Sequence, residues 1–467
     1  MAGAYPLEPD GGEMRGMAEA AFDFVRDFIE RLPDAPAVDL EGAEEEARRL
    51  DEPPPEAGSR LEPLLDTVAR GAAKSFNTTG PGYLAYIPGG GLYAAALGQF
   101  LAAAINRYVG VWAASPALAQ MEWITVRWLR DLFEYPDEAR GILTSGGSLA
   151  NFSGIVSARE AILGEDLAGA ALYVTDQTHA SVAKSARLAG VALKNVRTVA
   201  TDPELRMDPE ALREAIRDDR GAGLRPFCVV PSAGTTNTGA VDPLADVIEV
   251  ARQEGLWTHV DAAYGGPFRL TERGRTLFRG IDQADSITLD PHKAMFLPYG
   301  TGALLVREGR RLREAHEVGA YYLQDLGEEE EIPNFTDYSP ELSRPFRGLG
   351  VWLPVKLHGL AAFRAALDEK LDLGRFLYES LRQAPGLEVP WEPQLTVVAF
   401  RAAPADGDHD AASARLLDRI NASGRVFLSS TMLDGRFTIR ACIVSHRTHR
   451  DRIEEAVEII RSATRDL

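Results

Sequence analysis

A chain of 467 residues is too long for one compact core, and length alone anticipates about three domains or lobes. Apolar residues make up 45% and charged residues 25%, an ordinary balance for a globular chain that buries a sizeable core. Against 50 basic side chains stand 69 acidic ones, and the net charge of −19 argues against nucleic-acid or anionic-membrane partners, which want clustered Lys and Arg. Only two cysteines occur, Cys228 and Cys442, so neither a disulfide framework nor paired thiolate metal knuckles are expected.

In chain order, residues 13–31 carry Met17, Ala21, Phe24, Phe28 and Ile29 at helical spacing, stopped by Pro33. The first nine residues lack the basic and apolar regions of a secretory leader, which points to a cytoplasmic protein. An acidic, Pro-containing stretch over 41–55 suggests a solvated loop, and 61–74 a second helix. The apolar run 89–105 is short and weakly hydrophobic for a bilayer, which needs about 20 residues, so a buried helix is expected.

From about Leu143 short β-favouring runs alternate with helical patterns. Strands are expected at 171–174, 226–230, 257–260, 286–289 and 302–306, with helices at 209–217 and 243–254 between them. That alternation predicts an α/β fold, a mostly parallel sheet flanked by helices, with ligands beyond the carboxyl ends of its strands. A long helix at 360–382, strand-like runs at 395–400, 426–429 and 437–443, and a closing helix at 451–460 suggest a smaller α+β unit. The expected division is a helical arm, 1–80, a large ligand-binding domain, 81–350, and a small C-terminal domain, 351–467.

Five segments at predicted strand ends carry the candidate chemistry. Thr144-Ser145-Gly146-Gly147-Ser148 opens a helix, where free backbone N–H groups and a positive dipole end suit a phosphate; an ordinary capped turn would look the same. Asp176-Gln177-Thr178-His179 and Gly234-Thr235-Thr236-Asn237 are each unremarkable alone. His259-Val260-Asp261-Ala262-Ala263 places a carboxylate at the end of an apolar strand, where it needs a cation or strong donors. Asp290-Pro291-His292-Lys293 sets one of only six lysines against Met295, Phe296 and Leu297, and desolvation makes a lysine a usable amine nucleophile. Together, a phosphate cradle, an imidazole, a carboxylate and an apolar-set lysine are what pyridoxal phosphate requires. A carboxylate on the pyridine nitrogen shifts its pKa by ~1–3 units, about 1.4–4 kcal/mol in favour of the charged, electron-accepting ring.

These segments, with Gly80-Pro81-Gly82-Tyr83-Leu84-Ala85-Tyr86-Ile87-Pro88, Trp112-Ala113-Ala114-Ser115-Pro116, Asp337-Tyr338 and Arg344-Pro345-Phe346-Arg347, resemble the pyridoxal-phosphate-dependent group II amino acid decarboxylases over most of the chain. The resemblance implies a fold-type I homodimer whose active site lies at the interface, embraced by N-terminal helices. It implies Lys293 as the cofactor-bearing lysine, Asp261 on the ring nitrogen, His179 and Ala263 on its two faces, Gly147, Ser148 and His292 on the phosphate, and Thr236 near the ring hydroxyl. Tyr338 falls on a segment, roughly 319–345, that the family uses as a mobile loop bearing a catalytic tyrosine; the acidic run 328–331 in it is expected to be solvated. Departures are Gly80 where the family often has His, Ala294 where it has Trp, and Gly89-Gly90-Gly91. The implied reaction turns an L-amino acid into its amine and CO2, with an aromatic substrate suggested by Tyr83, Tyr86 and Trp112. An aldehyde synthase, another lyase or transaminase, a glutamate or diamino acid decarboxylase and a regulatory binder without turnover stay open as alternatives. Asp406-Gly407-Asp408-His409-Asp410 and His446-x-x-His449 are taken as surface loops, since each lacks a third well-spaced metal ligand.

Overall fold

A computed structural model describes residues 7–317 and 333–465. Seven strands form the larger sheet: β1 (Arg140–Thr144), β2 (Ala170–Thr175), β3 (Val196–Val199), β4 (Arg225–Val229), β5 (Trp257–Asp261), β6 (Ser286–Leu289) and β7 (Gly302–Val306). Their spatial order is β1-β7-β6-β5-β4-β2-β3. The five strands β2 to β6 run parallel to their neighbours in that group. Only β7 opposes both of its neighbours, pairing Gly302 with Thr144 and Ala303 with Leu289. Because β7 runs backwards, its first residue meets the carboxyl ends of β1 and β6. The chemistry-bearing turns therefore collect on one edge.

Helix Gly147–Leu163 packs across β4, β5, β6 and β7 and interlocks with helix Ala180–Leu188. Every residue of β2, β5, β6 and β7 is buried, as expected for a sheet covered on both faces. A second, fully antiparallel sheet has the order β10-β11-β9-β8, with β8 (Leu387–Glu388), β9 (Val397–Ala402), β10 (Ser429–Leu433) and β11 (Arg436–Cys442). Val398, Phe400 and Ile439 on it pack against Leu416 and Ile453 of helices His409–Ala422 and Arg450–Arg465, giving this region its own core.

The structure alters several expectations. The acidic stretch near residue 45 is not all loop: Ala43–Arg49 is a helix, with Glu44 to Arg48 and Glu45 to Arg49 pairs at i,i+4. The apolar run 89–105 becomes a helix only from Tyr93, after a glycine triplet that packs closely (a Cβ on Gly89 would stand 2.4 Å from the His292 carbonyl oxygen) and turns at Gly91 with a φ of 59°, and its face bearing Phe100 is exposed. The long helix starts at Gly348 and is interrupted at Gly359, whose φ of 71° leaves the helical region. The strand expected at 426–429 lies instead at Ser429–Leu433, and the edge strands β3 and β8 were not anticipated. His446 is not on a surface loop: it is largely enclosed, its ring 5.7 Å from Phe296. Asp408 caps helix His409–Ala422 by accepting from the Asp410 and Ala411 amides, and no group of three or more metal-ligating side chains occurs among the described residues.

Candidate active site

A cavity of about 380 Å³ opens at the carboxyl edge of the large sheet. Gly147, Ser148, His179, Thr236, Asp261, Ala263, His292 and Lys293 all line it, so the structure brings together segments that lie up to 146 positions apart in the chain. At one end, helix Gly147–Leu163 begins with no side-chain cap, leaving its first amide groups turned to the cavity. Gly146 has a φ of 157°, essentially extended, whereas the need for glycine at 147 is steric: a Cβ there would stand 2.8 Å from Asp290 Oδ2 and 3.2 Å from Ala263 Cβ. An uncapped helix start with a glycine floor suits a phosphate.

Lys293 Nζ lies 3.0 Å from Asp290 Oδ2, and His292 Nε2 lies 3.6 Å from the same oxygen. Met295, Phe296 and Leu297 behind the lysine are buried, as its sequence setting indicated. The carboxylate beside it was not anticipated. Asp290 closes the buried strand β6 just as Asp261 closes β5, so the signal that singled out Asp261 was present for Asp290 too. Its Oδ1 is buried without a hydrogen-bond partner, a free acceptor at the cavity wall. His292 Nδ1 donates to the Thr301 carbonyl at 2.8 Å, and burial pushes the imidazole below its ordinary pKa while Asp290 pulls the other way.

Asp261 is buried at the end of β5 and accepts from the Ala263 amide (Oδ1, 3.1 Å) and from Asn151 Nδ2 (Oδ2, 3.0 Å). Two donors without a cation leave it able to take a further N–H from a ring in the cavity. His179 accepts the Ser181 amide at Nδ1, which fixes its ring at the start of helix Ala180–Leu188. Thr236 is set by its carbonyl, which accepts from the buried Arg440; the same guanidinium donates to the Tyr86 carbonyl at 2.8 Å and Ser429 Oγ at 2.9 Å. Asn151, Ser181, Asp290 and Arg440 were all missed as site residues.

Tyr338 does not join this cluster within its own chain. It follows the short helix Phe335–Asp337, is half-buried against the main core, and its phenol is raised by burial while Arg140 and Arg313 pull it down. Arg140 opens β1 and Thr144 closes it, about 13 Å apart at ~3.3 Å per residue. In the single chain Tyr338 thus lies toward the Arg140 end of β1 and does not line the cavity that holds Lys293. The acidic run 328–331 lies outside the described residues. Of the expected aromatic entrance, Tyr83 and Tyr86 lie close enough to act on each other electrostatically, together with Tyr299, whose ring is 5.6 Å from His292. Trp112 is elsewhere, its amide donating to Asn334.

The residues present fit pyridoxal phosphate: an anion cradle, an amine with a carboxylate beside it, a second carboxylate facing the cavity and an imidazole at its side. Fold and cavity define the class of fold-type I enzymes that work through this cofactor. A family model, the pyridoxal-dependent decarboxylase conserved domain, matches residues 44–403. The chain is 35% identical over 449 residues to an aromatic-L-amino-acid decarboxylase of Bacillus atrophaeus, covering 95% of this chain and 93% of that one. It is 28% identical over 472 residues to a phenylacetaldehyde synthase of Arabidopsis thaliana, covering 97% and 96% respectively. A crystal structure of Oryza sativa TDC with PLP and tryptamine matches with a TM-score of 0.93 at 28% identity, covering 98% of this chain and 99% of that one. The chain belongs to the pyridoxal-dependent decarboxylase family: it is a pyridoxal-phosphate-dependent carboxy-lyase acting on amino acids. No helix among the described residues is long and apolar enough to cross a membrane.

Proposed function

We propose that this enzyme decarboxylates an aromatic L-amino acid to its amine. The observation that carries the reading is the convergence of Lys293, Asp290, Asp261 and His179 on one cavity, with Tyr299 beside its His292 and near enough to Tyr83 to act on it electrostatically. An aromatic side chain beside the cavity favours an aromatic substrate through ring packing. Sequence similarity to the Bacillus atrophaeus aromatic-L-amino-acid decarboxylase supports the same choice.

Lys293 is the amine that would hold the cofactor aldehyde, with Asp290 keeping Nζ in place at 3.0 Å. Gly147, Ser148 and His292 would take the phosphate, Thr236 would stand near the ring hydroxyl, and Asp261 would hold a proton on the ring nitrogen. His179 and Ala263 would flank the ring. When bound, pyridoxal phosphate supplies an electron sink for the pair released as the bond from Cα to the carboxylate breaks. The chain excludes water beneath that site through the buried run Met295, Phe296 and Leu297. His179 is the described group able to move a proton at its free ring nitrogen on the substrate side. Tyr338 does not line the cavity of the single chain, and product analysis decides between amine and aldehyde.

The reading includes a homodimer with the three-part division 1–80, 81–350 and 351–467. It is supported by an exposed apolar stripe of Tyr93, Leu97, Phe100, Leu101 and Ile105 and by helix Gly11–Arg31, which buries no residue in the single chain. Two buried, unpaired cysteines support a reducing, cytoplasmic setting. A panel of L-tryptophan, L-tyrosine, L-phenylalanine, L-glutamate and L-2,4-diaminobutyrate, scored for amine, tests the substrate: faster turnover of the aromatic members is expected, and a preference for the others overturns it.

A further inference from the structure

One hydrogen-bond chain behind the cavity has a polarity set by Asn151, whose Nδ2 donates to Asp261 and whose Oδ1 can only accept, so that His259 Nε2 must be the donor to it. The Trp257 indole can only donate, and Nε1 donates to Ser286 Oγ at 2.8 Å. The Ser286 hydroxyl, 2.7 Å from His259 Nδ1, gives its hydrogen to that nitrogen, which is bare in a neutral imidazole protonated at Nε2. A neutral imidazole with Nδ1 accepting carries its proton on Nε2, which lies 3.0 Å from Asn151 Oδ1. That fixes the Asn151 amide, whose Nδ2 hydrogens go to Asp261 Oδ2 and Ser181 Oγ, each at 3.0 Å. Ser181, having accepted from Asn151, turns its hydroxyl to His179 Nδ1 at 2.8 Å.

Every link up to Ser181 is enclosed: Ser286, Thr288 and His259 are fully buried, and Asn151, Trp257, Ser181 and Asp261 nearly so, while His179 at the end is exposed at the cavity. Helix Gly147–Leu163 makes room for the imidazole with Gly154, where a Cβ would stand 2.4 Å from His259 Cε1. Burial without a counter-ion in direct contact lowers the His259 pKa to about 4, which keeps the ring neutral at physiological pH. The hydroxyl of Thr288, 3.3 Å from Nε2, adds a second, longer contact there.

We propose that His259 is a positioning residue for the cofactor, holding Asn151 as a donor to Asp261 and, through Ser181, holding His179 with its proton on the cavity side. This rests on the assignment of Asp261 to the ring nitrogen. The links from Trp257 through Ser286, His259 and Asn151 each carry a hydrogen toward Asp261, and the branch through Ser181 carries one toward His179. One buried imidazole thus sets the state of two cofactor-facing groups it never touches.

The test uses the holoenzyme. Solid-state NMR of protein carrying 15N-histidine is expected to show His259, identified by its loss in His259→Gln, protonated at Nε2 and bare at Nδ1 at pH 7.5. A proton on Nδ1, or on both nitrogens, overturns the proposal. Binding of pyridoxal phosphate labelled with 15N in its ring is then compared between variants. His259→Phe should bind about tenfold more weakly, with the ring-nitrogen resonance moved toward its unprotonated position. His259→Gln keeps one donor and one acceptor and should stay within about threefold of the wild type. Unchanged affinity and resonance in His259→Phe, or equal losses in both variants, overturn the relay. Failure of the wild type to bind pyridoxal phosphate would instead strike the cofactor assignment, so the two outcomes are separable.

Discussion

Replacing Glu122 by glutamine removes one charge from a pair that no water reaches. Both side chains, Glu122 and Arg344, are 0% exposed. Glu122 Oε1 accepts from Arg344 Nη1, and Oε2 accepts from the Gly348 amide at 2.8 Å, which ties helix Pro116–Leu132 to the start of helix Gly348–Arg382. Arg344 also donates from Nη2 to the Leu143 carbonyl at 2.8 Å and lies 5.0 Å from the Phe335 ring centroid. Leu143 stands just before Thr144, so the pair supports the strand that delivers the Gly146-Gly147 cradle. Glutamine keeps the shape but leaves the guanidinium without a counter-charge. Breaking a buried pair on one side costs about 3–5 kcal/mol, more than the ~1.5–3 kcal/mol of one charge-assisted hydrogen bond. The double change Glu122→Gln with Arg344→Met removes the stranded charge as well and should recover more than half of that loss.

The assay is the thermal midpoint and unfolding rate of the apoprotein, since a chain of this size need not unfold in two states. Raising salt to 1 M should not narrow the gap between Glu122→Gln and the wild type, because burial shields the pair from screening. A Glu122→Gln protein within about 1 kcal/mol of the wild type would refute the reasoning. So would a double variant less stable than the single one.

Other expectations follow from the same geometry. Lys293→Ala should abolish both turnover and cofactor retained after borohydride treatment; retained activity contradicts the role given to Lys293. Tyr338→Phe should leave turnover within about threefold, and a loss beyond ~100-fold would show that its position in the single chain is misleading. His259 and His446 have pKa values lowered to about 4 and about 3, both chiefly by burial. The unfolded chain takes up protons at these sites below about 6.5 while the folded chain does not, so stability should fall as pH drops from about 6.5 toward 4. For His259 the full effect is roughly 3 kcal/mol. Thermal midpoints of the apoprotein between pH 7.5 and 4.5 should therefore fall less in His259→Gln than in the wild type; parallel curves would refute this.

The large sheet was legible because its strands are continuous buried runs such as Trp-Thr-His-Val-Asp and Gly-Ala-Leu-Leu-Val, each ending in a turn. Less legible were the edges. β3 exposes Arg197 and Thr198 and β10 exposes Ser430, so neither offers the apolar run that marks a central strand. The reversal of β7 depends on where the chain goes after Lys293, which local pattern does not encode. Lys293 stood out because lysine is scarce and its neighbours are apolar. Asn151 and Ser181 could not stand out, because their roles arise only when β5 and two helices converge on Asp261. Tyr338 shows the converse: a motif likeness supplied a role for a residue that the single chain does not bring to the cavity, and only a site shared between two chains could bring it there.

The most direct measurement of the central claim is product stoichiometry. Purified enzyme loaded with pyridoxal phosphate should release CO2 and the matching amine from an aromatic L-amino acid in equal amounts, with no peroxide. Aldehyde, ammonia and peroxide in place of the amine, or no CO2 from any member of the panel, would contradict it.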